Sequence, residues 1–110
     1  MVKIGPTIYL LKIVNDDKTL YKIGYTGVSV QKRIKELQTG CPYEIKIADT
    51  YSSKHSRKIE KTLHNMFSHK HTWGEWFELS STDEFNFNKL CEKYEMIQEN
   101  LAKNNEKICK

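Results

Sequence analysis

The sequence predicts a small α/β domain: a central, mostly antiparallel three-stranded sheet flanked by helices, in the order β-β-α-β-α-β-α. Three observations carry this reading. Two β-type runs, "TIYLLKIV" (7–14) and "TLYKIGYT" (19–26), are separated only by polar "NDDK". From Val28 the apolar residues switch to helical spacing. Alternating and helical stretches then take turns along the rest of the chain. The 110 residues fit one domain with one core, a motif-bearing body over 7–79 and a C-terminal helix over about 82–104.

Each element has its own signal. The first two runs are rich in β-branched and aromatic residues, and "NDDK" has turn chemistry, which together predict a hairpin. Both faces of each strand carry apolar groups, so helices should cover the sheet on both sides. Val30, Ile34 and Leu37 fall at i, i+4 and i+7, with Ser29 as N-cap, Gly40 at C′ and Pro42 beyond it. "YEIKIADTY" (43–51) alternates again and reads as a third strand. Residues 52–67 place Ile59, Leu63, Met66 and Phe67 on one face of a second helix. "GEWFEL" (74–79) is a short apolar strand. Ser81 and Glu84 have capping-box spacing, and Phe87, Leu90, Tyr94, Ile97 and Leu101 continue one long third helix.

Charge and cysteine usage narrow the setting. Residues 1–81 hold 13 Lys and Arg against 8 Asp and Glu, and residues 82–110 hold 5 against 6, so the basic character belongs to the front body. A positive body fits a phosphate-rich partner, though charge alone serves solubility equally well. Cys41, Cys91 and Cys109 are odd in number and form no CxxC pair, which predicts reduced thiols and an intracellular location, in cytoplasm, nucleoid or nucleus. The apolar "IGPTIYLLKIV" contains Lys12 and runs into "NDDK", so it reads as a strand and not as a signal peptide. No stretch reaches the ~20 apolar residues of a membrane span.

Two charges stand at the borders of apolar helical stripes: Arg33 beside Val30, Ile34 and Leu37, and Glu60 beside Ile59 and Leu63. A charge there costs desolvation unless it has a partner. Either one alone is as well read as a snorkelling surface charge or half of an Arg–Glu pair.

The order of motifs goes further. "TIY" at 7–9, "KIG" at 22–24, Arg33, "IEKTLH" on the second helix and "GEWFEL" at 74–79 together resemble the GIY-YIG nuclease superfamily, in its phage, viral and microbial branch with a KIG second motif and a closing EWF. The resemblance spans Thr7 to Leu79. It implies a GIY-YIG-like fold and a metal-dependent endonuclease that hydrolyses phosphodiester bonds in DNA. By this resemblance Tyr9, Gly24, Arg33 and Glu60 match the motif tyrosine, glycine, arginine and metal-binding glutamate. Thr7 replaces the first glycine, and Lys22 stands where the second tyrosine would be, exchanging a phenol for an ammonium.

That chemistry needs a cation, a donor to the nonbridging oxygens and a base for water. Glu60 is one carboxylate, which fits a single Mg²⁺ (or Mn²⁺) that keeps most of its waters. Arg33 is the phosphate clamp. Tyr9 is the candidate general base, with Lys22 on the neighbouring strand supplying positive charge to favour its phenolate. His64, four residues after Glu60, would orient it, receive a proton, or pack at the site edge. Glu75 adds a contact behind the site, Trp76 and Phe77 form core and pocket wall, and Tyr21 and Tyr25 pack against helices. His69 and His71 with His64 lack the spacing of a zinc site. Lys32, Lys35, Lys54, Arg57, Lys58 and Lys61 decorate the two site-bearing helices and would track a nucleic-acid backbone.

The expected partner is therefore nucleic acid, DNA in the first instance. The chain would act as a monomer or weak homodimer, and targeting is structural, weak, or delegated to a partner protein. Two rivals stand beside this reading: a catalytically weak or inactive nucleic-acid-binding module of the same fold, and an adaptor working through the Phe87–Leu101 stripe.

Overall fold

The computed structural model describes residues 6–72 and 76–108, the last five by backbone alone. The first two runs form β1 (Thr7–Asn15) and β2 (Lys18–Thr26), paired antiparallel from Thr7↔Thr26 to Asn15↔Lys18. Only Asp16 and Asp17 connect them, and Asp16 takes a left-handed φ of 57°, which a short polar side chain tolerates. The chain then builds α1 (Val30–Gln38), β3 (Lys46–Ser52), α2 (Ser56–Met66), a 3₁₀ turn at Ser68–Lys70, β4 (Trp76–Phe77), α3 (Ser81–Phe85) and α4 (Phe87–Ile108). The described residues form a four-stranded sheet in the order β3-β1-β2-β4, with every pairing antiparallel.

Alternation along β1 and β2 distributes the core to both faces, as the two-sided apolar pattern predicts. Tyr9, Leu11, Ile13 and Leu20 face α1, where they meet Val30, Ile34 and Leu37. Ile8, Leu10, Tyr21 and Ile23 face the other way, onto Ile59 and Leu63 of α2 and Phe87 and Cys91 of α4. Ile59 and Leu63 are fully buried. Truncating either to alanine would cost about 2–5 kcal/mol. Because they flank Glu60, this packing also fixes the height of α2 against the β2 edge.

Several boundaries differ from the sequence reading. The sheet has four strands rather than three, since the residues of the closing motif add β4 beside β2. The third strand begins at Lys46, not at residue 43, because the Gln38 side chain captures the preceding loop: its amide donates to the carbonyls of Cys41 (3.2 Å) and Tyr43 (2.8 Å) and accepts from Ile45 N–H (2.9 Å). The second helix starts at Ser56, where the fully buried Ser56 hydroxyl donates to Ser53 O and Pro6 O. The capping box sits one residue earlier than Ser81/Glu84. Ser80 accepts from Asp83 N–H while the Asp83 carboxylate accepts from Ser80 N–H. That shift releases Glu84 to accept from the buried Tyr21 hydroxyl at 2.6 Å. The predicted single helix is broken at Asn86 into α3 and α4.

Side chains tie α4 to the body. Tyr51 donates to Glu95 (2.7 Å), His55 meets Glu99 (3.1 Å), and Asn88 bonds Asp49 and the Thr50 carbonyl. Phe87 and Cys91 are buried, so the base of the predicted adaptor stripe is core, whereas Ile97 and Leu101 are exposed.

Candidate active site

A cleft opens at the β2 edge beside Lys22. Among the described residues β4 pairs with β2 only at Tyr21 and Lys22. At the next residue, Ile23, the carbonyl accepts a hydrogen bond from His64 Nε2 at 2.7 Å, so α2 satisfies a backbone group of this strand. One residue further on is Gly24. A Cβ placed there would lie 2.5 Å from Tyr9 Cζ and 2.7 Å from Cε1, because the Tyr9 ring crosses the strand at this point. The missing side chain lets a phenol from the α1 layer reach the edge that α2 approaches from the other layer.

The result is a cleft of about 410 Å³ lined by Tyr9, Lys22, Gly24, Arg33, Glu60 and His64, with Ile23 and the segment Tyr25–Gly27 completing its wall. All five residues singled out as catalytic candidates by the motif order thus face one cavity, although they come from β1, β2, α1 and α2. Tyr9 and Lys22 are buried, yet both line the cleft. Glu60 and His64 are each about three-quarters buried or less, with side-chain exposures of 24% and 32%, and stand 4.0 Å apart.

Hydrogen bonding fixes the roles open to two of these groups. Arg33 bonds Tyr9 and also Glu36, and these partners, Tyr9 first, hold the guanidinium above its ordinary pKa. The Glu36 contact is an exposed pair at 3.1 Å, three residues along α1. Since a carbonyl oxygen only accepts, His64 Nε2 must carry the proton that goes to Ile23 O. Its Nδ1 is then the nitrogen available for other chemistry. Phe77 holds the ring edge-on at a centroid distance of 5.1 Å.

Glu60 offers one carboxylate at the cleft wall, a donor set that suits a single hard divalent ion. Among the described residues no group of three or more His, Cys, Asp or Glu converges as a metal cluster. His71 packs edge-on against Phe77 at 5.5 Å, so the HxH loop is tied to the core.

The six predicted backbone-tracking residues behave differently from the cleft set. Lys32, Lys35, Lys54, Arg57, Lys58 and Lys61 are exposed, and none lines the cleft. Lys54 reaches Glu99 of α4 at 3.5 Å. Tyr21 packs as expected, its phenol pushed up by burial first and by its bond to Glu84 second. Tyr25, which follows Gly24 on the alternate side of β2, is partly exposed and forms part of the cleft wall. Glu75 lies outside the described residues. The sequence reading missed Glu36 as the Arg33 partner, although i,i+3 spacing signals it. It missed the Ile23 carbonyl altogether, since no sequence signal marks a backbone acceptor.

The edge of this α/β sheet gathers a phenol, an arginine, a buried lysine and a carboxylate in one polar cleft. The chain belongs to the T5orf172 domain family, whose model matches residues 6–104 and which is a GIY-YIG-like, phage-type, nuclease-associated domain. Neither any curated protein nor any solved structure matches the chain significantly. No helix among the described residues is long and apolar enough to cross a membrane.

Proposed function

We propose that this protein is a metal-dependent endonuclease of the GIY-YIG type, of the branch with KIG and EWF motifs, hydrolysing phosphodiester bonds in DNA. The observation that carries the proposal is the convergence of Tyr9, Lys22, Arg33, Glu60 and His64 on one cleft at the β2 edge. Membership of a nuclease-associated family supports the same reading.

Arg33, always charged and forked, would clamp a nonbridging oxygen and meet the charge that builds on the attacked phosphate. Glu36 and Tyr9 hold the guanidinium until the phosphate arrives. Tyr9 is the proposed general base, with Arg33 bonded to it and the Lys22 ammonium on the same cleft wall. Two cations around one phenol are the surroundings such a role requires. His64, anchored through Nε2, is a positioning residue that presents Nδ1 and fixes the α2 turn bearing Glu60. Mg²⁺ or Mn²⁺ held by Glu60 would supply Lewis acidity and charge neutralisation at the phosphate.

The exposed Lys32, Lys35, Lys54, Arg57, Lys58 and Lys61 would add affinity that falls with salt and carries little sequence information. Supercoiled plasmid with Mg²⁺ or Mn²⁺ tests the proposal. The wild type should nick, and Glu60→Ala and Arg33→Ala should not. DNA binding without nicking in the wild type would instead identify a binding module of the same fold.

A further inference from the structure

Beside the candidate cleft lies a second pocket of about 250 Å³, walled by Leu37, Cys41, Pro42, Tyr43 and Trp76, with Lys22 shared between the two. Its character is opposite to that of the cleft: apart from the shared ammonium, the walls named are apolar or aromatic. Trp76 pairs with Lys22 across β2 and β4, so the indole and the ammonium emerge side by side on the α1 face. Tyr43 and Trp76 are half-buried and pack onto the core beneath, leaving ring surface to the pocket.

The far wall is braced. Gln38 spends its whole side-chain amide on the loop that carries Cys41 and Tyr43, with three hydrogen bonds of 3.2, 2.8 and 2.9 Å. A loop held this way presents a preformed pocket and not one that must be ordered on binding.

We infer that this pocket receives one unpaired base of the nucleic-acid strand whose phosphate lies at Lys22. The inference rests on the nuclease reading of the adjacent cleft. A phosphate-holding cleft joined through one lysine to an aromatic-walled pocket matches the two halves of a nucleotide, charged on one side and flat and apolar on the other. In an intact duplex the bases are stacked inward, so only an unpaired or extruded base enters such a pocket. The substrate class is therefore DNA with an unpaired nucleotide beside the cut, in preference to continuous duplex.

Cys41 supplies a native reporter, being half-exposed in the pocket wall, while Cys91 is fully buried and serves as an unreactive control. The full chain, in EDTA so that no cleavage intervenes, is alkylated with iodoacetamide and the Cys41 peptide is quantified. Four oligonucleotides are compared: single-stranded, duplex with one bulged nucleotide, the same duplex with an abasic bulge, and the fully paired duplex.

The first two should slow Cys41 alkylation at least fivefold and the last two should not. Tyr43→Leu and Trp76→Leu should each weaken binding of the bulged duplex by roughly 5- to 100-fold, the scale of one lost base stack, and leave the abasic duplex unchanged. Equal protection by the normal and abasic bulges, or protection by none, overturns the inference. Plasmid nicking with Mg²⁺ is read separately. Nicking without Cys41 protection removes the base pocket and keeps the nuclease, and protection without nicking does the reverse.

Discussion

A methyl group at position 24 would sit 2.5 Å from Cζ of Tyr9 and nearer still to its hydroxyl, so Gly24 and the Tyr9 phenol occupy one another's space by design of the fold. Tyr9 is 2% exposed and has little room to retreat. Gly24→Ala should therefore displace the ring at a stability cost of about 1–3 kcal/mol, the usual range for overpacking. If Tyr9 acts on the phosphate, a displacement of this size should also lower the nicking rate by roughly 100-fold. Thermal unfolding and single-turnover nicking on the same preparation separate the two effects. A variant that is destabilised yet cuts at the normal rate would remove Tyr9 from the chemistry.

Lys22 offers a pH test of the same phenol. With the ammonium replaced in Lys22→Met, the positive charge on that wall of the cleft is reduced. Nicking should slow most near neutral pH and recover partly in alkali. A rate loss that is the same at every pH assigns Lys22 to packing or phosphate binding instead.

The His64 tautomer is open to direct observation. The 2.7 Å contact to the Ile23 carbonyl requires a proton on Nε2. Long-range ¹H–¹⁵N correlation spectra of ¹⁵N-histidine protein should show His64 as the Nε2–H form, with that proton slow to exchange. An Nδ1–H form would break the anchor between α2 and the β2 edge, and with it the positioning role.

Acid should loosen the C-terminal helix before the sheet. Bonds to Ser53 first and Tyr51 second hold Glu95 below the usual carboxylate range, and the His55 contact chiefly does so for Glu99. Burial opposes ionisation of Asp83, but its bonds to Lys70 and Ser80 win and lower it too. For each group the folded pKa lies under the unfolded value of ~4, so the stabilisation is complete above that value and disappears as pH falls through the folded one. Hydrogen exchange should show α4 amides losing protection below about pH 4 ahead of β1 and β2. Glu95→Gln with Glu99→Gln should flatten that dependence; an identical acid profile would place the sensitivity elsewhere.

Much of this architecture was legible in the chain. β-Branched and aromatic richness around a polar turn gave β1 and β2, and helical spacing with the Ser29 cap gave α1, whose first turn is closed by Lys32 N–H to Ser29 Oγ at 3.1 Å. The apolar residues on both strand faces announced helices on both sides. What could not be read were decisions made by long-range partners. Gln38 delays β3 by binding its incoming loop, and the capping box on Ser80 and Asp83, one residue early, leaves Glu84 to Tyr21. Position along a helix put Arg33 and Glu60 at the margins of their stripes, but only the packing of α1 and α2 on opposite faces of the sheet brings those margins to one cleft. Tyr25 escaped for the same reason, since its exposure depends on what covers the strand edge.

The most direct measurement of the central claim is single-turnover cleavage of a defined DNA with Mg²⁺ by the wild type, Arg33→Ala, Glu60→Gln and the double variant. Residues acting on one phosphate as a unit should each cost about 100-fold or more, with the double variant little worse than either single. A wild type that leaves the strand intact, or a Glu60→Gln variant that cuts as fast as wild type, would contradict the account.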